Sequence, residues 1–168
     1  MKKITLCLMM AFTAIFIAAC GQSFEEEKVK AENRAEQAFL NISPINETLD
    51  EVEFHLPTGL VVKNEEPNNV ILEKGSHSYI LFYNPFENMD SEALYKTEKS
   101  NEENILVDRT FKKDNRLGYL IIMDDGDGLY EITTGVGGVK VTTESALKDL
   151  SKDAELLMKI ASSTKINE

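Results

Sequence analysis

Asp124-Asp125-Gly126-Asp127-Gly128 puts three carboxylates within four residues. Hard oxygen donors at that density suit Ca²⁺. An EF-hand loop needs acids at alternating positions, then glycine at the sixth and glutamate at the twelfth. Counted from Asp125, the fifth position is Leu129, and the pattern breaks. The same residues make a hairpin turn in which Asp-Gly supplies positive φ angles. That is the reading adopted here, with calcium binding by Asp124, Asp125 and Asp127 left open. Gly135-Val136-Gly137-Gly138-Val139-Lys140 imitates a phosphate loop, but Lys140 stands where a dinucleotide fingerprint needs its third glycine. A flexible turn or bulge fits better. The two histidines are His55, on the outward side of a predicted strand, and His77, in a predicted turn between Ser76 and Ser78. They form no H-x-x-x-H zinc pair. No G-x-S-x-G elbow presents a serine to either of them. These patterns nominate no catalytic residue, cofactor or resident metal, and the expectation is a protein that is not an enzyme.

The remaining chemistry is at Cys20. Lys2 and Lys3 form a positive start, and Ile4 to Ala19 is uncharged and mostly apolar. This run falls short of the roughly 20 residues that span a bilayer. It suits the h-region of a secretory signal. Ala18 and Ala19 are the small side chains a signal peptidase needs before its cleavage point. Ile17-Ala18-Ala19-Cys20 resembles the lipobox of bacterial lipoproteins. That resemblance implies a diacylglyceryl group on the Cys20 sulfur and cleavage before Cys20. An ordinary secretory signal and an N-terminal anchor helix are the alternatives. The other cysteine, Cys7, would leave with the signal, so the mature chain could form no internal disulfide. Its domain must stand on its own core.

Net charge is −11. Loss of Lys2 and Lys3 leaves 16 basic against 29 acidic side chains, or −13 for the mature chain. Such a surface repels nucleic acid and anionic headgroups. Nucleic-acid binding is therefore excluded, as is membrane contact beyond the anchor. A cationic partner is the sharper alternative to plain solubility.

Several elements frame these residues. Ser23-Phe24-Glu25-Glu26 is a capping box opening a helix from Phe24 to about Leu40. Its apolar stripe, Ala31, Ala35 and Ala38 with Phe39 beside it, is thin and predicts a stalk lying loosely against the domain. Strands are predicted at 51–56, 60–63, 70–73 and 79–83, then at 105–112, 117–123, 129–134 and 139–142. Tyr79 to Tyr83 is apolar on both faces, which predicts a central strand. Asp90 or Ser91 can cap a short helix through Leu94 and Tyr95. Thr143 is read as the cap of a last helix reaching about Ser162. Its stripe of Leu147, Leu150, Leu157 and Ile160 is expected to cover Phe54, Leu81, Phe111 and Ile121, or Ile122 if the strand parity slips by one.

The expected fold class is α+β: an antiparallel sheet of about six strands, a C-terminal amphipathic helix on one face, and an N-terminal helix. The expected organisation is a signal peptide at 1–19, an anchored tether and helix at 20–48, and one globular domain at 49–168. Phe54-His55-Leu56-Pro57-Thr58-Gly59-Leu60, Leu129-Tyr130-Glu131-Ile132 and the end of the chain, Ser151 to Ser163, together carry a second resemblance. They resemble an uncharacterised extracytoplasmic domain of Gram-positive lipoproteins and anti-sigma factors. The α+β sandwich of photosystem-II-P-like proteins is a related resemblance. Neither supplies catalytic residues. The resemblances imply a lipoprotein on the outer face of the cell membrane, anchored at Cys20, that holds a protein partner or small ligand of the envelope. A Gram-negative outer membrane is the alternative location. An envelope hydrolase acting on wall or lipid is the alternative function.

Overall fold

The computed structural model describes residues 23–101 and 104–167. Cys20 and the segment 1–19 lie outside them. The class is α+β as expected. Helix α1 (Phe24–Leu40) is followed by β1 (Glu47–Thr48), β2 (Val52–Phe54), β3 (Val61–Glu66), β4 (Asn69–Lys74) and β5 (His77–Tyr83). Then come α2 (Ala93–Asn101), β6 (Ile105–Lys113), β7 (Arg116–Gly126), β8 (Leu129–Val136), β9 (Val139–Ala146), α3 (Leu150–Ser163) and β10 (Lys165–Ile166). The main sheet has seven strands in the order β3-β4-β5-β9-β8-β7-β6, and β1, β2 and β10 form a second, small sheet. The strand around Val52 therefore belongs to the second sheet, where β10 closes against it.

Turn chemistry sets the hairpins. Asp114 and Asn115 link β6 to β7 with φ of 49° and 58°. Asp127 and Gly128 link β7 to β8 with φ of 51° and 78°. Both pairs have the signs of a type I′ turn, whose twist matches the flanking strands.

One face of the sheet carries α1 and α3. The two helices run side by side in the same direction. Arg34 Nη1 donates to Glu155 Oε2 at 3.2 Å, and Ser162 Oγ donates to the Ala38 carbonyl at 3.3 Å. The predicted loose stalk is corrected here, because Ala31, Ala35 and Phe39 are wholly buried. An alanine stripe is thin by composition, but small side chains let two helix backbones approach closely. A second correction concerns Thr143. It lies within β9, donating its hydroxyl to the Ser78 carbonyl at 2.7 Å, and α3 begins at Leu150. Leu150, Leu157 and Ile160 are buried as expected, while Leu147 precedes the helix and is half-buried.

Leu120 and Ile122 of β7 join the helix-side core, and Tyr119, Ile121 and Met123 form a separate cluster on the other face. The parity is thus the slipped one. Every residue from Leu117 to Met123 is apolar or glycine, so the pattern alone leaves the two faces equivalent. Helix α2 covers that other face at β7 through Leu94 and Tyr95. Ser91 starts it, its Oγ accepting from the Ala93 N–H at 3.1 Å.

Candidate functional site

Beyond α2, no described element covers the outer sheet face at Ile80. The central position of β5 holds, since it pairs with β4 and β9. Burial on both of its faces does not hold: Ile80 is 48% exposed. Next to it lies an open cleft of about 560 Å³, lined in part by Ile80, Leu129, Glu131, Thr142 and Glu144. The β8–β9 register sets Glu131 directly opposite Glu144. Like charges placed directly opposite each other repel. The Thr133 and Thr142 hydroxyls share a hydrogen bond of 2.8 Å on the same face. At the covered border, Lys140 pairs with Glu98 of α2 at 2.5 Å, and its ammonium lies 5.9 Å from the Phe82 ring centre.

His77 stands at the rim, where it lines both this cleft and a neighbouring one of about 300 Å³ with Tyr79, Asp149 and Asp153. Ser76 and Ser78 line the same cleft as the exposed His77. Among the described residues, no hydrogen bond joins a serine hydroxyl to either imidazole. The buried serine of the region, Ser145, donates to Asp153 Oδ2 at 2.6 Å. His55 is remote from the cleft. Its Nδ1 lies 2.8 Å from the Pro44 carbonyl, and its backbone N–H donates to Ser163 Oγ at 2.9 Å. These contacts tie the small sheet to the end of α3.

Asp124, Asp125 and Asp127 form an exposed turn, and the Gly126 N–H donates to Asp124 Oδ1 at 3.0 Å. No group of three or more metal-binding side chains gathers among the described residues. The turn expected in the Gly135–Gly138 run is the hairpin turn at Gly137-Gly138, with Gly135 inside β8. The Gly137 N–H donates to the Leu117 carbonyl at 3.0 Å, and the Asn84 N–H donates to the Gly138 carbonyl at 2.8 Å.

Several telling side chains carried no motif. Glu27 is 1% exposed and accepts from Lys30 Nζ at 2.7 Å. The bond from Lys30 holds its carboxyl below the usual range against the opposing effect of burial, and the hydroxyl and backbone N–H of Ser151 add to it. A carboxylate from α1 thus serves the start of α3, where Asp149 makes no side-chain cap. At the opposite ends, the β6–β7 hairpin supplies the cations. Lys113 Nζ donates to the Leu40 carbonyl at 3.3 Å, and Arg116 Nη2 donates to the Ser162 carbonyl at 2.9 Å. Arg116 also lies 4.9 Å from the Phe39 ring centre.

Asp153 gives the site a pH dependence. Burial pushes its carboxyl above the ordinary aspartate range, and Asp149 pushes the same way. The Ser145 hydrogen bond and the nearby His77 and Lys74 oppose this. The same environment pushes the Tyr79 phenol up to about 12. A carboxyl raised on folding binds its proton more tightly in the folded state. Its contribution therefore falls as pH rises from the ordinary aspartate range to the raised value, then stays level. Asp153→Asn keeps an acceptor for Ser145 and removes the charge. The variant should be at least as stable as the parent at pH 7 and should flatten that acid-side slope. Denaturant titrations from pH 4 to pH 8 read both, and a large loss at pH 7 would refute the assignment.

No family model matches the chain, and no curated protein matches it. Among solved structures, it is similar to the solution structure of cyanobacterial PsbP (CyanoP) from Synechocystis. The match covers 76% of this chain and 95% of that one, at 13% identity and a TM-score of 0.45.

Proposed function

We propose that this chain is a lipoprotein acylated at Cys20, held on the outer face of the cell membrane, and that it works as a binding module without catalysis. The observation that carries the binding part is the open cleft beside Ile80. It combines an exposed apolar floor at Ile80 and Leu129 with the opposed carboxylates Glu131 and Glu144. A ligand that presents an apolar group to that floor suits the cleft, whether it is a protein segment or a small molecule. The hydroxyls of Thr133, Thr142, Thr143 and Ser145 are engaged in hydrogen bonds within the fold, which favours recognition over chemistry.

The anchor part rests on Ile17-Ala18-Ala19-Cys20. Among the described residues no helix is long and apolar enough to cross a membrane. Cys20→Ala should abolish incorporation of labelled fatty acid in the native host and leave the precursor uncleaved. Equal incorporation by the variant and the parent, or none by either, would sink the anchor. Recovery in an outer-membrane fraction would move the location to a Gram-negative envelope.

An envelope hydrolase is the second reading, and His77 beside Ser76 and Ser78 is what favours it. It requires a serine that hands its proton to the imidazole. Equal ester turnover by the parent and His77→Ala would remove that reading.

A further inference from the structure

Ser23 caps α1 itself, its Oγ accepting from the Glu26 N–H at 3.3 Å. Two contacts then fasten the start of α1 to the domain. The Phe24 ring stacks on Tyr130 with centres 5.3 Å apart and planes at 19°. Buried Glu27 joins α1 to the start of α3. The chain therefore leaves the folded body at a defined place, beside the first residues of β8. Gly21, Gln22 and Ser23 alone separate Cys20 from Phe24. Four Cα steps reach at most about 14 Å, however they are arranged. A domain of this length has a radius of gyration of about 15 Å, so its full width is well over twice that reach.

We infer that the end of the domain bearing the start of α1 and the β7–β8 turn faces the bilayer headgroups, with the cleft opening beside the membrane surface. This rests on the lipid-anchor reading and adds an orientation to it. Both large helices begin at this end. Leu129 and Ala146, paired at the adjoining ends of β8 and β9, line the cleft there. The opposite end carries the Asp114-Asn115 turn and both helix C-termini, held together by Lys113 and Arg116. A tether this short cannot pass around the body, so the far end cannot face the headgroups with the start of α1 pointing away from them. The facing end carries Asp124, Asp125 and Asp127, which anionic lipid repels. The tether, and not attraction to phosphate, sets the orientation. The cleft then meets ligands that reside at the membrane surface.

The test uses the full acylated protein in vesicles of phosphatidylglycerol and phosphatidylethanolamine. In that protein the Cys20 sulfur is blocked and Cys7 has been removed, so one introduced cysteine takes a fluorophore uniquely. The two sites are Asp125→Cys at the facing end and Lys112→Cys at the far end. Lipids with a nitroxide on the headgroup should quench the label at 125 several-fold more than the label at 112. Equal or reversed quenching in vesicle-bound protein overturns the orientation while leaving the anchor intact. Protein that never associates with vesicles overturns both readings. A Gly-Ser insert of about twenty residues after Gln22 spans roughly 25 Å. It should abolish the contrast, and a contrast that survives the insert also overturns the proposal.

Discussion

Leu157→Ala is expected to cost about 2–5 kcal/mol of folding stability. Leu157 is wholly buried on α3, the helix that packs on both α1 and the centre of the sheet. Deleting three carbons there removes their transfer free energy and leaves a cavity among well-packed neighbours. A domain stable by about 5–15 kcal/mol loses a large share of its margin. The described residues contain no cysteine, so no disulfide limits the unfolded chain. At this size each kcal/mol moves the thermal midpoint by about 4 °C, so the fall should be roughly 8–20 °C. Val29→Ala on α1 is the control. Val29 is 53% exposed, and its loss should fall within about 0.5 kcal/mol. Calorimetry on the soluble domain reads both. A midpoint for Leu157→Ala within two or three degrees of the parent would mean that α3 does not carry the core.

Gly137→Ala should rank next. Gly137 sits at φ +56°, and a Cβ there would lie 2.2 Å from the Asn88 carbonyl oxygen and 2.5 Å from Met89 Cα. Those are backbone atoms, so no rotamer change relieves the clash. The segment after β5 is clamped onto this turn by the Asn84–Gly138 bond, and Leu117 donates to the Met89 carbonyl at 2.9 Å. Pushing that segment away strains both contacts. Left-handed strain of about 1–2 kcal/mol and overpacking of about 1–3 kcal/mol together predict a loss of about 2–5 kcal/mol. Gly126→Ala separates the two effects. Gly126 has φ +82° with nothing within 4 Å of its would-be Cβ, so that variant pays the strain alone. Equal losses for the two glycines would show that the clamp contributes nothing. Denaturant midpoints at constant m-value give the comparison.

Much of the fold was written locally. Ser23 and Glu26 marked the first turn of α1, and Ser23 caps it. Asp127-Gly128 placed a hairpin, because few residues tolerate the positive φ that such a turn demands. The 3-4 spacing of Leu150, Leu157 and Ile160 placed the face of α3. Each of these signals depends on residues within a few positions of one another, and each survives in the folded protein.

Partners remote in sequence decided the rest. An alanine stripe reads as weak until a second helix lies against it, and Glu27 became a buried cap only because α3 begins beside it. Ile121 and Ile122 face opposite sides by the pleat of the strand and are interchangeable by pattern, and the packing of α1 and α3 on one face and α2 on the other decided which side each takes. Thr143 has the side chain of a helix cap, yet Ser78 on a neighbouring strand holds it in β9. The cleft is the extreme case, since the pairing of β5 with β9 brings Ile80 alongside Thr142, 62 positions away. The sequence by itself determined the turns and the helix faces, because those follow from backbone preference and short-range spacing. Only the tertiary structure decided which faces are covered and where the cleft opens. Coverage depends on which long-range pairings repay the entropy of closing their loops, and no local window contains both partners.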